Sequence, residues 1–108
     1  GRSPTEARSY NCQFDVLLGS WLPAPCHDAD LMEQYIADAV WNWYEDPEFT
    51  RLIPIDTMRM GEYQGKVWTN TSEHSDHCAY LWMKQFRAVV NKKPMDDISA
   101  RYGHTEHC

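Results

Sequence analysis

The sequence predicts a small, mainly helical domain with one short β element, stapled by a metal ion and by disulfide bonds. Two long segments repeat apolar residues at helical spacing, which is the main sign of an amphipathic helix. A chain of 108 residues, of which 43% are hydrophobic, can bury only one modest core. Its five histidines and four cysteines supply donors for metal and disulfide staples, which small domains often need.

The amino-terminal part is expected to lack regular secondary structure. Residues 1–11 are polar without a periodic pattern, so they are predicted to form a flexible lead-in to a single domain over residues 12–108. Residues 14–21 are rich in apolar side chains but follow neither a helical nor a strand period. An extended, packed segment is therefore expected there, ended by Pro23 and Pro25.

The first helix is predicted over residues 28–45. Asp30 and Glu33 resemble a capping pair, and acidic residues in the first turn suit the helix dipole. Pro47 is expected to stop the helix, because proline disrupts helical hydrogen bonding. The predicted apolar face consists of Leu31, Met32, Tyr35, Ile36, Ala39, Val40 and Trp43.

Three further elements are predicted in the second half of the chain. Residues 66–69 are expected to form a short strand that pairs with residues 58–60. A second helix is predicted from residue 71 or 72 to residue 91, before Pro94. A short third helix is expected over residues 96–102, with Gly103 as its ending residue.

The charge and the hydropathy of the chain exclude two kinds of surface. The net charge is −6 and the ten basic residues are scattered, with only Lys92 and Lys93 adjacent. Nucleic acids and anionic membranes are bound by clustered Lys and Arg, so neither partner is expected. No apolar run approaches the roughly 18 residues that a membrane-spanning helix needs.

The cysteines and a glycosylation sequon indicate an oxidising compartment. Cys12, Cys26, Cys78 and Cys108 form an even number in a short chain, so at least one disulfide is expected. Asn70 begins an Asn-Thr-Ser sequon and is the predicted glycosylation site. Four cysteines permit three pairings. Proximity in the chain suggests Cys12 with Cys26, and motif symmetry suggests Cys78 with Cys108, but the sequence does not choose between pairings.

A five-residue pattern suited to metal binding occurs twice. The pattern His-x-acid-His-Cys covers residues 74–78 and residues 104–108. It uses four of the five histidines and two of the four cysteines, so composition alone makes two matches improbable. The candidate metal ligands are His74, His77, His104 and His107.

The spacing of the pattern has a geometric meaning on a helix. Residues three and four apart lie on one face, close enough to share a ligand. The first motif would thus present His74, His77 and Cys78 together, and the second motif could present its own residues likewise. The two motifs would then place four imidazoles around one point. Gln85 lies on the same stripe, where it could orient a ligand or a substrate.

Several interpretations of the motifs compete. Paired histidines can be ordinary polar residues on a solvated helix face, or they can belong to a closed structural zinc site. A zinc-activated water would support hydrolysis, but the sequence places no general base beside it. A redox metal is favoured, because imidazole suits copper and iron and a site of histidines alone leaves coordination positions open. His27 is expected to be a surface or capping residue rather than a further ligand. Trp41, Trp43 and Tyr44 are expected to be packing residues.

The double motif and three further segments resemble the fungal UstYa-like oxidase family. The further segments are residues 19–26 (Gly-Ser-Trp-Leu-Pro-Ala-Pro-Cys), 41–44 (Trp-Asn-Trp-Tyr) and 65–69 (Gly-Lys-Val-Trp-Thr). The second motif, with the glycine before it, completes the resemblance over residues 103–108. The double motif is specific, whereas the tryptophan segments are only supportive. Together the segments span most of the chain.

The resemblance implies an oxidoreductase of fungal secondary metabolism, including mycotoxin biosynthesis. Its reaction would be an oxidative cyclisation, hydroxylation, desaturation or halogenation of a peptide or small-molecule substrate, with copper as the metal and dioxygen or peroxide as the oxidant. The catalytic part would lie in the lumen of the secretory pathway or be secreted, with a single amino-terminal membrane anchor on the full-length precursor. Glycosylation and disulfide bonds would agree with that location.

The resemblance also carries residue roles over to matching positions. His74, His77, His104 and His107 are implied as the metal ligands and catalytic residues. Cys78 and Cys108 are implied as motif members that act either as ligands or as disulfide partners. The four histidines could hold a single metal ion, or two coppers whose coordination is completed by water and other donors. A site shared across a homodimer is a third option, because so short a chain has little room to enclose a substrate. The rival from another class is a non-catalytic, zinc-stabilised secreted binding module.

Overall fold

The computed structural model describes residues 3–63 and 65–108. The helices within these residues are α1 (Pro4–Ser9), α2 (Ala29–Asp38), α3 (Ile55–Met60), α4 (Thr71–Val90), α5 (Asp97–Ala100) and α6 (Tyr102–His107). The strands are β1 (Cys12–Asp15), β2 (Ser20–Pro23), β3 (Trp43–Tyr44) and β4 (Leu52–Ile53), and a 3-10 turn covers Ala24–Cys26. The prediction of a mostly helical domain with a short β element and a disulfide is confirmed, with two antiparallel two-stranded sheets instead of one β element.

Within the expected flexible lead-in of residues 1–11, residues 4–9 form helix α1, and residues 1 and 2 lie outside the described residues. The Ser3 hydroxyl accepts a hydrogen bond from the backbone amide of Glu6 at 3.1 Å, and Pro4 occupies the first helical position. Ala7 is buried and attaches the helix to the rest of the chain. The signal was present in the sequence, since serine followed three residues later by glutamate is a capping pattern and proline favours a first turn.

The expected extended segment over residues 14–21 is a β hairpin. Strands β1 and β2 pair with Phe14 opposite Trp21, and Val16 and Leu17 of the connection are buried in the core. An Asp15 carboxylate oxygen accepts a hydrogen bond from the Leu18 amide at 3.2 Å, which fixes the connection. The hairpin thereby holds the backbone of residues 16–18 in a defined place beneath helix α4.

The first predicted helix is shorter than expected. Asp28 rather than Asp30 caps it, accepting from the Leu31 amide at 3.2 Å, and the helix ends at Asp38. Trp43 lies in strand β3 instead, because aromatic residues favour a strand when they can pack on one side of a sheet. Val40, expected in the core, is 83% exposed, whereas Trp41 and Trp43 are buried as expected.

The strand pairing predicted for residues 66–69 is also wrong. Residues 58–60 belong to helix α3, and Trp68 instead forms a bridge with Tyr44. Both backbone hydrogen bonds of this bridge are 2.9 Å long. The bridge attaches the segment before helix α4 to the small sheet of β3 and β4.

Helix α4 agrees with the prediction, whereas the carboxyl-terminal helix does not. Asn70 caps α4 by accepting from the Glu73 amide at 3.3 Å. The expected third helix is split into α5 and α6 by extended backbone at Arg101. Gly103 lies inside α6 and does not end a helix, so this prediction was wrong.

Polar contacts join helix α2 to helix α4 along their length. Asp28 pairs with the Arg87 guanidinium at 2.6 Å, and the Tyr80 hydroxyl donates to Asp38. Tyr35, fully buried between aromatic rings, donates its hydroxyl hydrogen to Glu73 at 2.8 Å. These contacts fix the amino-terminal turns of α4, which carry the first histidine motif, against the hydrophobic core.

Over residues 3–63 and 65–108, each helix is too short or too polar to cross a bilayer.

Candidate metal-binding site

The two histidine motifs lie on neighbouring helices joined by a disulfide. The first motif occupies the first turns of α4, and the second occupies α6 and the residue after it. Cys78 and Cys108 are disulfide-bonded, with their Cα atoms 5.4 Å apart. The pairing suggested by motif symmetry is therefore present, and a disulfide indicates an oxidising compartment. As disulfide sulfurs, these two residues offer no thiolate to a metal.

The other suggested pair, Cys12 with Cys26, is not formed. Both residues are free thiols that are partly exposed. The register of the hairpin explains the difference, because the residue opposite Cys12 is Pro23, and Cys26 lies beyond it in the 3-10 turn.

His77 and His104 form an inner pair of imidazoles. Their Nε2 atoms are 3.5 Å apart, and both residues are only partly exposed. The Nδ1 atom of His77 lies 2.7 Å from the carbonyl oxygen of Leu17, so Nδ1 carries the hydrogen and donates it. In the neutral ring this leaves a lone pair on Nε2, directed at His104. In metal-ligating histidines, the ring nitrogen that does not bind the metal typically donates to a backbone carbonyl in this way.

The separation of the two Nε2 atoms fits a shared metal ion. With metal–nitrogen bonds of about 2.0–2.1 Å, two nitrogens of a tetrahedral site lie roughly 3.3 Å apart. The observed 3.5 Å is close to that separation. At this separation the two side chains can supply two nitrogen ligands with little rearrangement. Unlike His77, His104 has no group within the described residues that accepts from its buried Nδ1 atom, so only His77 has its ring orientation fixed in this way.

His74 and His107 form a separate, outer pair. Their ring centroids are 5.5 Å apart with the rings nearly perpendicular, and both residues are exposed. The Nε2 atom of His74 lies 4.0 Å from the Sγ atom of Cys78. Over residues 3–63 and 65–108, no group of three or more His, Cys, Asp and Glu side chains is arranged to hold a metal ion. The structure thus brings the four predicted ligands together as two pairs, not around one point.

The side chains behind the histidines hold helix α6 in place. Gln85, expected near a ligand or a substrate, instead donates to the carbonyl oxygen of Ser99 at 2.8 Å and to the hydroxyl of Thr105 at 2.7 Å. Its role in the structure is to attach α6 to α4. The Lys84 ammonium pairs with Asp96 at 2.5 Å and anchors α5 in the same way.

A cleft opens beside the first motif. Its volume is about 650 Å³, and its lining includes His74, His77 and Glu73. The opposite walls are largely apolar and aromatic, with contributions from Phe14, Trp21, Trp43 and Tyr63. An imidazole pair at the edge of an apolar cleft of this size is an arrangement that can hold a small organic ligand near a bound metal.

The sequence did not single out Glu73 in this region, and it predicted Tyr35 only as part of the apolar face of the first helix. Burial raises the pKa of Tyr35, and the nearby Glu73 carboxylate raises it further, so the hydroxyl stays protonated and donates to Glu73. The position of Glu73 directly before His74 was a usable signal, because both then lie in the first turns of one helix.

Of the two roles expected for His27, capping is confirmed, since it is the C-cap residue of the 3-10 turn, and a surface position is wrong. Its side chain is 9% exposed, and its Nδ1 atom faces the buried carboxylate of Asp15 at 3.5 Å. The hairpin and the 3-10 turn bring these two residues together. His27 takes no part in the pairs formed by the motif histidines.

Comparisons with known proteins show a distant relationship. The chain is 27% identical over 118 aligned residues to Phomopsin biosynthesis cluster protein B' and, equally, to Phomopsin biosynthesis cluster protein B, both from Diaporthe leptostromiformis. The alignment covers all of the chain but 34% of each relative, so the chain spans about a third of their length. No family model matches the sequence. No solved structure matches it either.

Removing the disulfide should destabilise the protein and separate the two motifs. Because Cys78 and Cys108 close a segment with a separation of 30 residues, the Cys78→Ser/Cys108→Ser variant should lose about 3–4 kcal/mol of unfolding free energy. Chemical unfolding followed by circular dichroism measures the loss.

A matched variant separates this effect from general thiol chemistry. The Cys12→Ser/Cys26→Ser variant should unfold like the parent and should respond to a reductant as the parent does. Equal stability of the parent with and without reductant would show that the disulfide contributes nothing. Mass spectrometry of alkylated protein should find two free thiols in the parent.

Proposed function

We propose that this chain is the metal-binding catalytic part of a copper-dependent oxidase or oxygenase of fungal secondary metabolism. The observation that carries the proposal is the inner pair, His77 and His104, whose Nε2 atoms lie 3.5 Å apart beside the cleft. The substrate would be a peptide or a small metabolite. The relatives support the biological setting, since both are named for a phomopsin biosynthesis cluster.

The resemblance of both motifs to the UstYa-like oxidases supports the choice of metal and reaction. The proposed ligands are His77 and His104, with His74 and His107 next to them. Copper, when bound, would supply one-electron redox chemistry with dioxygen or peroxide as oxidant. The proposed setting is the lumen of the secretory pathway or the outside of the cell, in agreement with the disulfide. Membrane anchoring of the full-length protein and a homodimeric assembly belong to the same proposal.

The residues of the chain would contribute orientation and exclusion of water. The Leu17 carbonyl fixes the tautomer of His77, which leaves Nε2 free to bind metal. The disulfide removes two thiols from the site, so the donors beside the cleft are imidazole nitrogens and the carboxylate of Glu73. The apolar walls would hold the substrate close to these nitrogens and replace water around the reacting group.

The rival function, a zinc-stabilised binding module, receives less support. A structural zinc site is closed by four protein ligands, usually cysteine thiolates and histidines. The motif cysteines are bonded to one another, and the described part of the chain contains no cluster of three candidate ligands. An open site that completes its coordination with water or substrate agrees better with two imidazoles.

Copper should stabilise the folded protein. Because an ion that binds only the native state shifts the unfolding equilibrium, copper at about 100 times its dissociation constant should raise Tm by roughly 10–20 °C. Free thiols also bind copper, so the titration uses the Cys12→Ser/Cys26→Ser variant. Calorimetry and electron paramagnetic resonance follow stability and Cu(II) coordination in the same samples.

The control is the His77→Ala/His104→Ala variant in the same background, which copper should leave at its metal-free Tm. An equal rise of Tm in this control would show that copper binds at residues other than the inner pair. Stoichiometric zinc in protein purified without added metal, with no Cu(II) signal after copper addition, would favour the zinc-stabilised module.

A further inference from the structure

The charge that the cleft presents comes mainly from one carboxylate. Within the described residues of its lining, Glu73 is the only Asp, Glu, Lys or Arg. A ligand with a carboxylate or phosphate group would meet this negative charge without a lysine or arginine to compensate for it. A positively charged ligand group would be attracted.

One oxygen of the Glu73 carboxylate is hydrogen-bonded to the protein, and the other is available to a ligand. Oε1 accepts a hydrogen bond from the hydroxyl of Tyr35 at 2.8 Å, and Tyr35 is itself fully buried. The backbone amide of Glu73 is satisfied by the cap residue Asn70. The second carboxylate oxygen has no protein donor in the described part of the chain, so it can accept from a ligand. A carboxylate with a fixed orientation loses little conformational entropy when it binds.

The other walls of the cleft suit the same kind of ligand. Phe14 and Trp21 meet edge to face with ring centroids 5.5 Å apart, and Trp43 and Tyr63 line the cleft too. The Arg8 guanidinium already lies over the Trp21 ring, 5.1 Å from the ring centroid, so Phe14, Trp43 and Tyr63 are the rings that would attract a ligand cation. Aromatic rings also pack well against apolar groups. The wall is tightly built, since a Cβ atom at Gly61 would lie 2.5 Å from the Phe14 ring.

We propose that the cleft binds a protonated amine carried on an aromatic or branched apolar group, with Glu73 as the ionic anchor and Tyr35 as the residue that positions it. The inference rests on the proposed function in one respect, that this ligand is the substrate. Glu73 precedes His77 by four residues on α4, a rise of about 6 Å along the helix axis. An amine bound at Glu73 would therefore place its neighbouring carbon atoms near the inner histidine pair.

The test compares ligands of one shape that differ in charge. The probes are 2-phenylethylamine, its N-trimethylated ammonium form and neutral 2-phenylethanol, titrated into the purified protein and followed by amide chemical shifts in NMR spectra. Both cations should bind about tenfold tighter than the alcohol, as expected for one partly buried ion pair together with a cation–π contact. The trimethylated probe cannot ligate a metal, so its preference reports the carboxylate and the aromatic walls.

Two variants assign the preference to Glu73. Glu73→Gln should remove the preference for both cations while leaving the affinity for 2-phenylethanol unchanged, which also shows that the cleft is intact. Tyr35→Phe should weaken the preference in part, because the carboxylate remains but is no longer held. Glu48→Gln removes an exposed carboxylate elsewhere and should change nothing. A cation preference that persists in Glu73→Gln, or no preference in the parent, would overturn the proposal.

A further titration distinguishes the amino terminus of a peptide from the amine of a small metabolite. Phe-Gly-Gly amide and its N-acetylated form are titrated in the same way. Tight binding of the free peptide assigns the site to a peptide amino terminus, whereas binding of the small amines alone assigns it to a small metabolite. None of these titrations requires turnover or copper, so failure of the cation preference leaves the metal proposal standing. Failure of copper binding likewise leaves the cation preference measurable.

Discussion

Replacing Asp96 with alanine should destabilise the folded protein by about 3–5 kcal/mol, because it leaves the ammonium of Lys84 buried without its counter-charge. Lys84 and Asp96 are 3% and 5% exposed, and their charged atoms are 2.5 Å apart. Lys84 donates a second hydrogen bond to the carbonyl oxygen of Cys26 at 2.9 Å, which cannot replace the carboxylate. Chemical unfolding followed by circular dichroism measures the loss.

A second variant separates the ion pair from the helix cap. Asp96 also caps helix α5, because it accepts hydrogen bonds from the amide and hydroxyl of Ser99. Lys84→Met keeps this cap but leaves the carboxylate unpaired, and the double variant should recover part of the loss of either single variant. The matched control is Glu33→Gln, which breaks an exposed ion pair with Arg59 and should cost less than about 1 kcal/mol. Equal effects of Asp96→Ala and Glu33→Gln would contradict the prediction.

The pH dependence of the same contact has a defined sign. Burial raises the pKa of the Asp96 carboxyl, but hydrogen bonds from Lys84 and Ser99 outweigh this effect, so the pKa lies below its ordinary value. The folded-state pKa is lower than the unfolded one, so this contribution to stability is fully present above the unfolded pKa of about 4. It is lost as the pH falls through the folded pKa. Asp96→Asn should therefore remove part of the acid sensitivity of the parent.

The longest elements were predictable because their signals are local and repeated. Helix α4 has twenty residues of helical pattern, a capping asparagine at residue 70 and a proline beyond its end. The extended segment around Phe14 and Trp21 was also recognisable from its apolar residues and flanking prolines. Length and repetition allow many weak preferences to agree.

Short elements depended on contacts that a sequence does not display. Trp43 follows the helical spacing of α2 but pairs with Ile53 in a strand, since the chain returns there. Helix α6 has a glycine at residue 103 and begins after extended backbone at Arg101. It is held by the Cys78–Cys108 disulfide and by the hydrogen bond from Gln85 to Thr105. In such cases tertiary contacts override local preference.

The sequence indicated that the two histidine motifs belong together but not how they are arranged, and metal binding by the four histidines stays a prediction. The spacing of the motifs identified all four histidines, and symmetry suggested the Cys78–Cys108 pair. The pairing of His77 with His104 depends on how α6 lies against α4, which the disulfide fixes. The carbonyl of Leu17, which orients His77 from 60 residues away, has no signal in the sequence because every residue has such a group.

The inner histidines should contribute more to copper binding than the outer ones. His77→Ala and His104→Ala should each lower copper affinity by about 100-fold or more, since even loss of an outer-shell partner commonly costs 10–100-fold. His74→Ala and His107→Ala should have smaller effects, because those rings are exposed and nearly perpendicular. Competition with a chelator of known affinity measures the change, and electron paramagnetic resonance reports how many nitrogens remain. Oxidation of a substrate, once one is identified, should be abolished in the two inner variants.

His27, the fifth histidine, is not a suitable control for these substitutions. His27 is buried beside Asp15, so its replacement would disturb the hairpin, and a loss of activity there would carry no information about the metal. Glu106→Gln is better matched, since it changes an exposed residue of α6 between two candidate ligands. It should retain full copper affinity and the parent's circular dichroism spectrum.

Equal losses of copper affinity in all four histidine variants would contradict two unequal pairs and would favour one site with four imidazole ligands. Retention of stoichiometric copper in the His77→Ala/His104→Ala variant would exclude the inner pair as the site, because no imidazole nitrogen would then remain at that position.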